Sequence, residues 1–212
     1  GPPPPLQAAL AGAPDLAPLV APLEGVSSSP VMIAMVSFKA DTPAAEALTK
    51  LPFALADVSH HDKIARLVRQ ESDGYVSLVV HSTHDYAAAR ANVYGSTSAA
   101  AKLAPELWTK EKAKKGEAEV LQDLYTAATQ LLEPHTGPLS EPVWGPLLHR
   151  WGSAFCGPSA VPLPAISPSR RLALCGDFAG SSRPDTYAGV EAAALSGIDL
   201  AKAIAASSKA KI

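Results

Sequence analysis

Apolar positions recur along this chain with two different periods, and the changes of period outline its elements. Residues 31–38 (VMIAMVSF) are a dense apolar run of strand length, and residues 53–58 form a shorter one. Between them, residues 42–51 read as a helix or turn capped by Asp41 or Thr42. Residues 63–70 and 75–82 read as paired strands, because Glu71-Ser72-Asp73-Gly74 supplies the Asp-Gly step that tight hairpins need at positive φ. A helical region opens at 85–92. A clearer one spans 118–132, where Val120, Leu121, Leu124, Ala127, Ala128, Leu131 and Leu132 fall on one face. Residues 144–155 return to strand, with Pro146 complicating the start. Residues 6–24 break into short helical pieces at Pro14, Pro18 and Pro22, and 158–169 form a proline-rich connector. This layout predicts an α+β fold built on an open mixed or antiparallel sheet with helices on one side.

The last segment has its own pattern. Leu172-Ala173-Leu174-Cys175 reads as a buried strand running directly into Gly176-Asp177. A Ser/Arg/Pro loop then reaches Gly189, after which Val190, Ala193, Ala194, Gly197, Leu200, Ala201 and Ile204 recur at helical spacing. A helix that begins at glycine presents unpaired N–H groups and a positive dipole end, which suits a phosphate or an electron-rich ring edge. An aspartate at the strand's carboxyl end can accept hydrogen bonds from ribose or ribityl hydroxyls.

Composition narrows the function classes. The 212 residues are 47% hydrophobic with a formal charge of −2, enough apolar content for a core and too little positive charge for a phosphate-neutralising face, so no nucleic-acid partner is expected. The longest apolar run, 31–38, is far too short to span a bilayer. Cys156 and Cys175 make no disulfide framework and are expected reduced and buried in a soluble intracellular protein, with the compartment open between cytoplasm and an organelle matrix. The charged run Lys110–Glu119 reads as a solvated helix or inserted loop, or else as a docking surface for a protein partner. The histidines lack the cysteine and acidic companions of a metal site, so none is expected, and His60-His61 is expected exposed in a polar turn. Ser153 and Ser196 stand beside glycines but in no nucleophile elbow.

The strand ending in Gly176-Asp177 before the helix at Gly189 resembles the C-terminal flavin-binding segment of two-domain FAD oxidoreductases. The strand 76–82 ending in His81-Ser82, followed by Tyr86, together with Pro142 and His149-Arg150-Trp151-Gly152-Ser153-Ala154, is similar to the substrate-domain motifs of the renalase-like branch of that superfamily. Lys63-Ile64-Ala65-Arg66 and the opening 2–10 fit the same pattern.

That resemblance implies residues 1–168 as a substrate (cap) domain and 169–212 as the last strand and helix of a Rossmann-like FAD domain. It implies FAD held by Gly176, Asp177, Gly189, Val190, Glu191 and Ala192. It also implies a substrate pocket with Trp151 as an aromatic wall and His81 as a hydrogen-bonding imidazole, and hydride transfer from a reduced nicotinamide, NAD(P)H or an isomer, to flavin. The bland alternatives are core packing for Trp151 and an ordinary strand-end polar role for His81. Where the family has aromatic residues around 31–38, this chain has Met32 and Met35. No Gly-x-Gly-x-x-Gly turn occurs, so the chain reads as the C-terminal half of a longer protein whose N-terminal dinucleotide-binding half is the missing partner. A non-catalytic scaffolding subunit that keeps the fold without cofactor is the alternative from another class.

Overall fold

A computed structural model describes residues 14–93, 110–157, 165–167, 169, 171–179 and 189–209. They divide into two compact bodies, one of Pro30–Gly152 and a second made of the segments up to Ser29 and from Ser153 onward. The boundary read from sequence at 168 falls inside the second body.

The larger body is an α+β unit. Strands β1 (Ser28–Lys39), β2 (Leu55–Asp57), β3 (Ile64–Ser72), β4 (Tyr75–Ser82) and β5 (Trp144–Cys156) form one sheet in the order β2-β3-β4-β1-β5. The pairings of β1 with β4, β4 with β3 and β3 with β2 are all antiparallel. The β3–β4 hairpin turns at Asp73 (φ 50) and Gly74 (φ 79), the two consecutive positive-φ residues that the Asp-Gly step supplies. Leu67 and Ile64 of β3, Val76, Leu78 and Val80 of β4, and Met32, Ala34, Val36 and Phe38 of β1 turn one face of the sheet into a core.

Helices cover that face. In α2 (Pro43–Thr49) the Thr42 hydroxyl accepts from the Ala45 N–H and caps the start, while Ala44, Ala45 and Leu48 pack inward. Thr83 caps α3 (His84–Ala88) in the same way, and this helix is shorter than the 85–92 region expected. The long α4 (Lys110–Thr136) lays Val120, Leu121, Leu124, Ala127, Ala128 and Leu132 onto the core, as their spacing predicts. It begins at Lys110 rather than 118, because the charged run is rich in good helix formers, and within that run Glu117 is buried. Burying a side chain such as Leu124 completely stabilises the fold by about 1.5–3 kcal/mol.

In the second body, a 3-10 turn (Pro14–Leu16) leads into α1 (Ala17–Glu24), and the part of the 6–24 reading that covers 6–13 lies outside the described residues. Pro18 lies in the first turn, where a missing N–H costs nothing, and only Pro22 interrupts the hydrogen bonds. Leu16, Leu19 and Leu23 pack with Ala165, and Leu172, Leu174 and Phe178 close the cluster. Strands β6 (Ile166–Ser167) and β7 (Leu172–Ala173) pair antiparallel, and the Leu174 N–H extends the ladder to the Ala165 carbonyl at 2.9 Å. Helix α5 (Val190–Lys209) follows. Its buried stripe is Ala192, Ser196 and Leu200, whereas Val190 is 90% exposed and Ile204 and Ala201 also face water. The apolar set read from the sequence is therefore displaced around the helix, because the true stripe includes a serine that hydrophobicity alone passes over.

Candidate functional site

The face of the large sheet opposite the core holds the candidate substrate residues. Side chains alternate across a strand, so the partners of the buried set point the other way. Strand register then aligns them in rows. One row is apolar: Leu55 of β2, Val68 of β3, Val79 of β4 and Met35 of β1. The next is polar at one end, with Asp57, Arg66, His81 and Ile33 on the same four strands. None of these eight residues belongs to the core cluster. Met32, in contrast, is fully buried on the core side, so of Met32 and Met35 only Met35 reaches this face.

Arg66 reaches the open face through an irregularity. Ile64 pairs with Ser82 and Leu67 with Val80, three residues on β3 against two on β4, which marks a β-bulge between Ile64 and Arg66. The extra residue lets Ile64 and Leu67 both enter the core while Arg66 stays outside, a common way for a strand to re-aim a side chain. The Arg66 Nε–H donates to Asp57 Oδ1 at 2.7 Å.

His81 stands opposite Arg66 and is half-buried. Burial, and secondarily the Arg66 charge, push its pKa below the ordinary histidine value, so the imidazole is neutral at physiological pH. A neutral imidazole offers one donor and one acceptor.

Trp151 lies on β5. Leu148 of the same strand is in the core, so alternation places His149 and Trp151 on the open face with His81. Strands β4 and β5 flank β1, which sets the two residues on strands about 10 Å apart. Trp151 is 52% exposed and meets the His149 ring edge-on at 4.7 Å. It is not a core residue. The sheet thus brings His81 and Trp151 to one face, with the apolar row beside the histidine.

The proposed flavin residues lie in the second body. Gly176 (φ 151) adopts a conformation that L residues avoid, and a Cβ there would meet the Phe178 ring at 2.6 Å. Its peptide is fixed by Ser196 of α5: the Gly176 N–H donates to Ser196 Oγ at 2.9 Å. The single Ser196 hydroxyl proton serves either the Gly176 or the Ala193 carbonyl, each at 2.9 Å. Asp177 is half-buried and accepts from the Cys156 thiol, Sγ to Oδ1 3.5 Å. Burial, with the adjacent carboxylate, raises the Cys156 pKa, so this thiol stays protonated. Cys156 is accordingly half-buried, while Cys175, expected buried, is exposed.

Gly189 (φ 147) starts α5, and its carbonyl accepts the first helical bond from Ala193 at 3.0 Å. A Cβ at 189 would meet nothing within 4 Å among the described residues. Ala192 is buried, while Val190 and Glu191 are exposed. Ser196, the residue that joins the turn to the helix, was not foreseen from sequence as part of this segment. Its fixed spacing from Gly189 inside an alanine-rich helix was the available signal.

A second group in the larger body was also missed. Asp123 of α4 accepts from Lys63 Nζ at 2.6 Å and from the Tyr86 hydroxyl at 2.9 Å, with Arg90 Nη2 at 3.6 Å. The Arg90 guanidinium also sits 3.6 Å over the Tyr86 ring. Burial works against the Asp123 charge, but the Lys63 and Tyr86 hydrogen bonds outweigh it and hold the carboxyl below its usual range. The carboxylate in turn raises the Lys63 pKa. This network fastens α4 to α3 and to Lys63, the residue just before β3.

Among the described residues no cluster of histidine, cysteine and carboxylate groups could hold a metal. His60 is exposed in the turn, whereas His61 folds back so that Nδ1 accepts from the Lys63 and Ile64 N–H groups. Among the described residues no helix is long and apolar enough to cross a membrane. No protein-family model matches the chain, and no curated protein matches it.

Proposed function

We propose that this chain is the C-terminal part of an FAD-dependent oxidoreductase of the renalase-like kind, a soluble intracellular protein that oxidises a reduced nicotinamide. The observation that carries this reading is the Gly176–Ser196–Gly189 unit: a turn ending in an aspartate, clipped by a buried serine to a helix that starts at a glycine. The donor set fits flavin. The first-turn N–H groups of α5 would face an electron-rich ring edge, and the Asp177 oxygen not engaged by Cys156 could take a ribityl hydroxyl. FAD, when bound, supplies the hydride acceptor. In the same reading the open sheet face is the substrate surface, where Trp151 stacks on a planar ring and neutral His81 hydrogen-bonds its polar substituent. The parallel strands of a Rossmann-like cofactor domain, the Gly-x-Gly-x-x-Gly turn and most contacts to the ADP half belong, on this proposal, to an N-terminal partner half.

The test is the visible absorbance of protein purified from its native source without denaturation. Flavin is expected, with retention after desalting reduced by Asp177→Ala. On this reading residues 1–212 by themselves should bind FAD weakly, because the pyrophosphate contacts come from the N-terminal partner half. Natively purified protein that contains no flavin and takes up none from added FAD overturns the reading in favour of a cofactor-free scaffolding role.

A further inference from the structure

We infer that Arg66 and His81 form a recognition site on the open sheet face for the carboxylate of a flat aromatic acid, with the ring lying on the neighbouring apolar row. The inference deepens the substrate-surface reading above and rests on it, but it requires no flavin.

Three features converge on it. The β-bulge between Ile64 and Arg66 holds Arg66 out of the core and opposite His81, so two nitrogen-rich side chains sit side by side on adjacent strands. Arg66 spends its Nε–H on Asp57, which fixes the guanidinium plane and leaves the two Nη groups without a partner among the described residues. His81 makes no hydrogen bond among the described residues and is half-buried beside that guanidinium. The pair therefore offers a preorganised fork plus one imidazole N–H, a donor set that matches a carboxylate. Val68, Val79 and Met35, one row along the sheet, supply a flat apolar floor for a ring.

Charge decides between anions. Asp57 already neutralises Arg66 locally and His81 is neutral, so the site has no surplus positive charge for a dianion such as phosphate. A monoanion needs only the directional donors and can draw a proton onto His81 as it binds.

Benzoate, benzamide and inorganic phosphate are suitable probes on this chain, followed by NMR of the His81 imidazole. Benzoate is expected to bind saturably, to shift the His81 resonances and to raise its titration midpoint, since a bound anion favours the imidazolium. Arg66→Gln should weaken binding about tenfold, the usual worth of a charge-assisted hydrogen bond. Asp57→Asn should tighten it severalfold by removing the competing carboxylate, a gain that mere structural damage would not produce. Equal binding of benzamide, displacement of benzoate by equimolar phosphate, or an unperturbed His81 would each overturn the proposal. Because none of these measurements involves flavin, a failed flavin test leaves them interpretable.

Discussion

Ser196 and Gly176 are joined by a side-chain-to-backbone hydrogen bond across the second body. The hydroxyl, with no solvent exposure, accepts the Gly176 N–H at 2.9 Å from 20 residues further along the chain. It makes the turn after β7 and the second turn of α5 a single unit, and it satisfies the Gly176 backbone donor.

Replacing Ser196 by alanine should therefore leave the Gly176 N–H without an acceptor. The expected cost is about 1–3 kcal/mol, the penalty of an unsatisfied buried donor. Thermal unfolding measures the loss, and amide exchange at Gly176 should accelerate in the variant while the core of the larger body is unaffected. Unchanged exchange at 176 would show that the clip does not hold in solution.

The Asp123 network predicts a pH response in the larger body. The Asp123 pKa is lowered in the folded state, so its stabilisation is present above the unfolded carboxyl value near about 4 and is lost as pH falls through the folded value. The Lys63 pKa is raised, so its contribution is complete below about 10 and disappears as pH climbs through the folded value. Asp123→Asn should flatten both limbs of the stability profile. Asp123→Ala should also strip the Tyr86 hydroxyl, whose residue is buried, of its acceptor, at about 1–3 kcal/mol near neutral pH. Denaturant midpoints between pH 3 and 11 check both outcomes.

The larger body was legible because its signals are local. The Asp73-Gly74 turn fixes the β3–β4 register, and the α4 stripe from Val120 to Leu132 has a period that only a helix can bury. Leu124→Ala, deleting a fully buried member of that stripe, should cost roughly 2–5 kcal/mol in thermal unfolding. What escaped the sequence depends on contacts between distant positions. The Lys63–Asp123 pair spans 60 residues, and neither residue type advertises a partner. Ser196 belongs to the buried stripe only because Gly176 satisfies its hydroxyl, so a hydrophobic pattern must misplace the helix face. The second body draws α1 in beside β7 through Leu16, Leu19 and Leu23, a packing no linear boundary at 168 could express.

Trp151 provides the sharpest separation of a site role from a structural one. A fully buried tryptophan would cost about 3–5 kcal/mol to truncate. At 52% exposure, with an edge-on contact to His149 as its only described ring partner, Trp151→Ala should cost no more than about 1–1.5 kcal/mol. If the open face receives a planar substrate, the same variant should impair flavin reduction by a reduced nicotinamide in natively purified protein well beyond that small stability loss. A stacking wall positions the reacting carbon, and hydride transfer is sensitive to small displacements. Thermal unfolding and anaerobic rapid mixing on one preparation separate the two effects. A fold that melts several kcal/mol earlier with normal reduction kinetics in the surviving fraction would return Trp151 to a packing role and remove the aromatic wall from the proposed site.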